Sequence, residues 1–496
     1  MRLSVVGLSA GLALSVSAPA QAQLLASSWE ACLGAGAPGL VQQINGCSGI
    51  IQSDLEAPGP RAVALFNRGV LYQSQGALSQ AIADYDAAER LDPALPETFA
   101  GRGSAYFEAA DYERASADFE RAIRLAPDKS EGWAGRAAIR MAMGKGPAAL
   151  ADYDRAVAAA PQSADVLDQR GQAYARTGDD TRALADFDRA LTLKPDDATA
   201  YAGRGGVLAR RKDVDGALSA FDAALRIDPD LTPALSGRAW ARHAKGDAAG
   251  SAQDYARAAK LDPKDARAQF NHGFSLQVAG DLNGAVAAYD AAVAHDPQDA
   301  GAYNNRGDAL ANRGELKAAV ADFDKALTLK PGYVLALGNR GRARLQLGEH
   351  AAAAADFTEV LAHDPADVQA RLGLAIAYGA QGQHARAVEE ADTAVRGAPD
   401  SAEALNIRCW ALGLAGESLD RALADCDRSA ALKADAPEVY DARGFVRLRK
   451  GDLELALADY ATALRLRPQL ATARFGQGLA ELRLGREAAG RSDMAT

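Results

Sequence analysis

The chain is poor in the residues that carry out chemistry. Its 496 residues include six histidines, four cysteines and four tryptophans, and aromatics make up only 6%. No two histidines have the i, i+4 spacing of a helical metal site, and no two cysteines form C-x-x-C. A zincin, a structural zinc site and a thioredoxin-like motif are therefore excluded. The phosphate loop G-x-x-x-x-G-K-S/T is missing too. Carboxylates are abundant but periodic, which marks a solvated face before an acid/base pair. No catalytic residue, metal site or cofactor is expected, and the chain is read as a non-enzyme.

Long basic runs are also lacking, so neither nucleic acid nor an anionic membrane surface is an expected partner. Beyond the first 22 residues no apolar stretch is long enough to cross a bilayer, so no integral membrane segment is expected. What is present is alanine in quantity: 48% of residues are hydrophobic and 24% are charged, with a net charge of −10. That combination suits helices packed closely through small side chains.

The N-terminus reads as an address. Met1-Arg2 gives a positive start, Leu3 to Val16 is mostly apolar, and Ala20-Gln21-Ala22 matches an A-x-A cleavage site. The apolar stretch is broken by serine and glycine and is shorter than the ~20 residues of a spanning helix. Trp29-Glu30-Ala31 before Cys32 is not a lipobox. A cleaved signal over 1–22 is expected, hence export to the periplasm or secretion.

The rest is a repeat. Pro93, Pro127, Pro161 and their successors to Pro399 recur every 34 residues. With that proline at position 32, the first repeat starts at Ala62. Position 8 is Gly, Ala or Cys throughout, position 20 is Ala in all repeats but one (Ser251), and position 24 is Tyr or Phe in ten of twelve. One residue is inserted between Gly416 and Ala422. Small residues at 8 and 20 let two helices approach closely, and the ring at 24 fills space towards the next repeat. Gly at 15, as in Gly76, Gly178 and Gly348, caps a first helix. Proline at 32 stops the second. The pattern predicts helix A over positions 1–14 and helix B over about 17–30.

On these residues the chain resembles the tetratricopeptide-repeat proteins over 62–470. The resemblance implies an all-α superhelical solenoid of antiparallel helix pairs. The expected organisation is a signal over 1–22, an N-terminal helical cap over 23–61, twelve repeats over 62–470, and a capping helix and tail over 471–496.

Cys32 and Cys47 flank a breaker-rich stretch and read as a disulfide stapling the N-terminal cap. Cys409 and Cys426 occupy positions 8 and 24 of the eleventh repeat; they are either a second bridge or two buried thiols acting as small hydrophobes. Position 7 is arginine in ten repeats and position 23 is acidic in ten. The series reads either as a charged binding ladder or as a structural ion pair between helices A and B. The regular spacing favours the structural reading, at ~0–1 kcal/mol each.

In the resembling family, helix A positions 2, 5, 6, 9, 12 and 13 face a concave groove. Carried onto this chain, they give a candidate peptide-binding set of Trp240, Phe270, Asn271, Phe274, Asn304, Asn305, Asp308, Asn339 and Arg342. Asn271, Asn305 and Asn339 stand one repeat apart at position 6, and an amide both donates to and accepts from an extended peptide backbone. Tolerance of asparagine on an exposed face is the alternative. Trp410, Phe445 and Phe475 form a second aromatic patch, which could equally seal the C-terminal end. The resemblance implies a scaffold for a protein or extended peptide in the cell envelope. A role in polysaccharide secretion, with the rings as sugar platforms, is the alternative.

Overall fold

The computed structural model describes residues 20–488, 490 and 491. The expected signal peptide lies, through residue 19, outside the described residues. Among the described residues there are 27 helices and no strands.

From the second repeat onward the helices open where the spacing places them. Helix A begins at position 1 and helix B at position 17, as in Pro96–Glu108 with Tyr112–Leu125 and Ala300–Asn312 with Leu316–Leu329. Pro96 and Pro437 open their helices, where a missing N–H costs little. Aspartates before the helices do work that the spacing alone did not reveal. Asp111, Asp179 and Asp281 each accept a hydrogen bond from a first-turn backbone N–H of helix B, and Asp299 does the same for a helix A.

The turn between the two helices needs a left-handed residue at position 15. Gly76, Gly178 and Gly348 supply it with φ of 73°, 88° and 78°. Where glycine is missing, Ala110 and Lys212 adopt φ of 59° and 64° regardless, at ~1–2 kcal/mol each. The inserted residue near 417 is absorbed in the same kind of turn, with Gly416 and Ser418 both at positive φ.

The chain divides into two compact bodies, Met1–Gly246 and Asp247–Thr496. Each is a stack of helix pairs held by two repeated devices. The first is a ring gripped between glycines. A Cβ on Gly69 would lie 2.6 Å from the Tyr85 ring, and one on Gly101, in the next repeat, 2.9 Å from the same ring. Phe187 is gripped likewise by Gly171 and Gly203, and Tyr460 by Gly444 and Gly476. These rings are almost wholly buried. Position 6 of the following repeat thus faces the ring, a role that the sequence reading, which gave position 6 to the groove, did not assign.

The second device is the arginine at position 7. Nε and Nη2 of Arg102 donate to both oxygens of Asp118 at 2.8 and 2.9 Å, while Nη1 donates to Asp86 and Glu89 of the preceding repeat, each at 2.6 Å. Arg170, Arg306, Arg340, Arg408 and Arg443 repeat this bridge between their own repeat and the one before. The position-23 aspartates are buried, so the value of ~0–1 kcal/mol expected for an exposed pair does not apply. Asp152, Asp356 and Asp459 also pair with a second arginine (Arg140, Arg344 and Arg447). At Asp118, Asp186, Asp322 and Asp425, removing the position-7 arginine strands a buried charge, which costs about 3–5 kcal/mol. Arg204 is different, because Ala220 stands at position 23 and its partner is the exposed Asp188.

At the N-terminal end, helices Ala20–Cys32 and Leu40–Gln52 are joined by the Cys32–Cys47 disulfide. Trp29 Nε1 donates to Glu56 at 2.6 Å and closes that hairpin onto the following loop. Cys409 and Cys426 are also bonded, linking helix A to helix B within the eleventh repeat. Ala442 follows at position 6 of the next repeat, where Gly101 and Gly203 stand beneath rings. With no ring at position 24, a methyl group fits.

Candidate partner-binding groove

Helix A of each repeat presents positions 5 and 9 on one face, and their chemistry changes along the second body. Phe270 at position 5 of repeat 7 is half-buried and packs its ring 5.7 Å from that of Tyr289. Phe274 at position 9 is 39% exposed. Asn271 is half-buried between them in sequence. In repeats 8 and 9 the polar side chains bond to one another. Asn304, only 4% exposed, donates to Asn305 Oδ1 at 3.0 Å, and Asn339 donates to Asn304 Oδ1 at 3.1 Å. Arg342 donates to Asn339 Oδ1 at 2.5 Å. Asp308 accepts from Gln277 at 2.6 Å and from Asn312 at 3.3 Å.

Four of the candidates, Asn304, Asn305, Asn339 and Arg342, are therefore brought together in one hydrogen-bonded run. The link between successive rungs is Asn304 at position 5, not the position-6 amides alone. A hollow of about 210 Å³ beside this run is lined by Asn339, Arg342, Leu335 and Ile376. Trp240 lies on helix A of repeat 6, in the first body, and is 41% exposed.

Further along, the same positions turn apolar. Position 9 is Ile376, Trp410 and Phe445 in repeats 10 to 12, and Leu479 in the closing helix Ala471–Arg483. Together with Phe475, which is 54% exposed, these side chains line a hollow of about 460 Å³. Its polar members are Asn406, Glu438, Asp441 and Thr472. Burial, with help from nearby Glu438, holds the Asp441 carboxyl above its ordinary value. The aromatic trio was visible in the sequence, but Ile376, Asn406, Asp441 and Leu479 were missed. The run of large apolar residues at position 9 was the signal that could have found them.

The first body has its own hollow of about 320 Å³, lined by Phe107, Glu108, Met141, Gln172 and Arg176. Behind it Asp168, 6% exposed, accepts from Gln172 at 2.7 Å and faces Asp197. Burial first, then the Asp197 charge, raise its pKa to about 7. Among the described residues no cluster of three or more His, Cys, Asp or Glu side chains could hold a metal ion. No described helix is long and apolar enough to cross a membrane. The arrangement offers two kinds of surface for another molecule: a polar run already bonded to itself, and an apolar hollow edged with acceptors.

Helix pairs on a strict 34-residue register, with ring-and-glycine packing between repeats, define an α-helical repeat protein. The tetratricopeptide repeat family matches residues 101–164, 169–232, 270–334, 339–402, 372–438 and 442–493, and the related TPR repeat matches 69–109. The chain belongs to the tetratricopeptide-repeat family. No curated protein matches it. Among solved structures it is similar to a tetratricopeptide repeat protein of Parabacteroides merdae, with 22% identity over 50% of this chain and 98% of that one, at a TM-score of 0.43. It is also similar to YrrB, described as a TPR protein with an unusual peptide-binding site, with 26% identity over 37% and 95% of the two chains and a TM-score of 0.34. The APC/C hetero-tetramer Cut9-Hcn1 matches with 15% identity over 85% and 96%, at a TM-score of 0.45.

Proposed function

We propose that this chain is a non-enzymatic scaffold that holds a segment of a partner protein against the helix A face of its second body. The observation that carries this reading is the change at positions 5 and 9. Repeats 10 to 12 keep their helix pairs, yet large apolar side chains are left around an open hollow. Asn271, Asn304, Asn305, Asp308, Asn339 and Arg342, with Phe270 and Phe274, are proposed as the polar part of that face. Trp240 is proposed as a contact on the first body. The division into a cap over 23–61, repeats over 62–470 and a closing segment over 471–496 is part of the same proposal.

The scaffold is proposed to work after export, in the periplasm or beyond the cell. Support comes from both cysteine pairs being bonded, an arrangement that persists in oxidising compartments. Photo-crosslinking tests the reading, with a benzophenone residue placed at Phe475 or at Asn339 in the native host. The expected result is specific protein adducts from either position, lost from 475 when Trp410 and Phe445 are changed to alanine and from 339 when Asn271 and Asn305 are. Absence of adducts, together with tryptophan quenching by oligosaccharides, would replace it with a glycan-binding role.

A further inference from the structure

The apolar hollow at the end of the second body contains a carboxylate without a cation and an amide oxygen without a donor. Asp441, at position 5 of repeat 12, accepts from the Thr472 hydroxyl at 2.6 Å. Among the described residues no arginine or lysine lies within ion-pair distance of it. One repeat earlier, at the same position, Asn406 lines the same hollow, and its buried Oδ1 has no hydrogen-bond partner. Glu438 adds a second carboxylate at the edge, paired to Arg467 at 2.6 Å. An uncompensated carboxylate beside apolar surface is costly, and so is a buried acceptor left unpaired.

One kind of side chain answers all of this at once. A guanidinium offers several donors in a plane, carries the missing positive charge, and lays its flat face on an aromatic ring. An ammonium supplies the charge without the face. The fold already uses that combination internally, with the guanidinium of Arg386 3.9 Å from the centre of the Tyr378 ring and that of Arg182 4.6 Å from Tyr174. The neighbouring polar run, by contrast, carries its own cation in Arg342 and has no need of another.

Resting on the groove reading above, we infer that the hollow of repeats 11 and 12 is an arginine-reading subsite. It takes a partner segment in which an arginine is flanked by bulky apolar residues. The guanidinium bonds to Asp441 and Asn406, and its apolar neighbours rest on Trp410, Phe445 and Phe475.

The test is to pan a random dodecapeptide library, displayed on phage, against the immobilised full-length chain and against its Asp441→Asn and Phe475→Ala variants. Phe475 is exposed, so its loss leaves the fold intact, and thermal melts of both variants confirm this. Wild type is expected to enrich arginine next to large apolar residues. Asp441→Asn should keep the apolar preference and lose the arginine, and Phe475→Ala should weaken the apolar preference. A selected peptide resynthesised with citrulline for arginine should bind wild type about tenfold more weakly and Asp441→Asn with little change. Enrichment of apolar peptides without arginine, or the same arginine preference in Asp441→Asn, would overturn the subsite and leave the groove standing. No enrichment that depends on Phe475 would overturn both.

Discussion

Repeats 8 and 9 and repeats 11 and 12 share a backbone register, a position-7 arginine and a buried position-23 aspartate, yet they treat their free face in opposite ways. In the first pair Asn304, Asn305, Asn339 and Arg342 satisfy one another along the stack. In the second, Trp410, Phe445 and Phe475 surround a hollow in which Asn406 Oδ1 is unbonded and Asp441 has no cation beside it. Evenly spaced polar residues on a repeat protein are thus not by themselves a docking site, because they can be consumed by the repeat next door. Unsatisfied groups, polar or apolar, are the better sign that something else is meant to arrive.

The comparison depends on the two regions sharing a scaffold, and the largest test strikes that. Arg306→Met should strand the Asp322 carboxylate, which no second arginine reaches among the described residues, and cost about 3–5 kcal/mol. Because repeats unfold locally, the loss is read best as faster hydrogen exchange in repeats 7 and 8, which Arg306 bridges. A change below 1 kcal/mol would mean that the clamp is only decoration.

Asp168 comes next, since it occupies the position of Asn304 with a charge instead of an amide. Its native pKa of about 7 exceeds the unfolded value of about 4. The native state therefore holds the proton more tightly, and no penalty exists below about pH 4, where both states are protonated. As pH rises from there the unfolded chain ionises first, so stability falls until about pH 7 and stays low above it. Asp168→Asn should gain on the order of a few kcal/mol at pH 8 and nothing at acid pH. Urea melts at both values check this.

The triple change of Asn271, Asn305 and Asn339 to alanine should cost about 1–3 kcal/mol in the same assay, because Asn305 and Asn339 bond within the fold. A larger effect on partner capture than on stability would restore the polar run as a contact surface. Arg204→Met is the smallest. Its partner is exposed, so about 0–1 kcal/mol is expected, and a cost equal to that of Arg306→Met would erase the distinction between buried and exposed clamps.

The helices were legible because their signals are backbone requirements: proline at 32, glycine at 15 and small residues at 8 and 20 each stop, turn or admit a helix wherever they stand. What stayed hidden depends on the offset between neighbouring repeats. The aspartates at position 25, such as Asp86, Asp290 and Asp324, recur as plainly as those at 23. Only the stacked geometry shows that the next repeat's arginine reaches back to them. The asparagine spacing was visible in the same way, but not that Asn304 would bridge two rungs. Asp168 was lost among many periodic carboxylates, since nothing in its neighbours along the chain announces burial.

The rings held between glycines of successive repeats bear on how such a chain grows. Each ring is gripped half by its own repeat and half by the next, as Tyr85 is by Gly69 and Gly101. A duplication or deletion therefore preserves every grip only when it spans whole periods, wherever its ends fall. Repeat 11 departs from this rule: its Cys409–Cys426 bond closes within a single repeat and leaves Ala442 facing it. Copied before a repeat such as the second or the fifth, it would meet a glycine with no ring to receive. Repeat 10, with Ala391 at position 24, lacks the ring as well, and both of these repeats line the hollow.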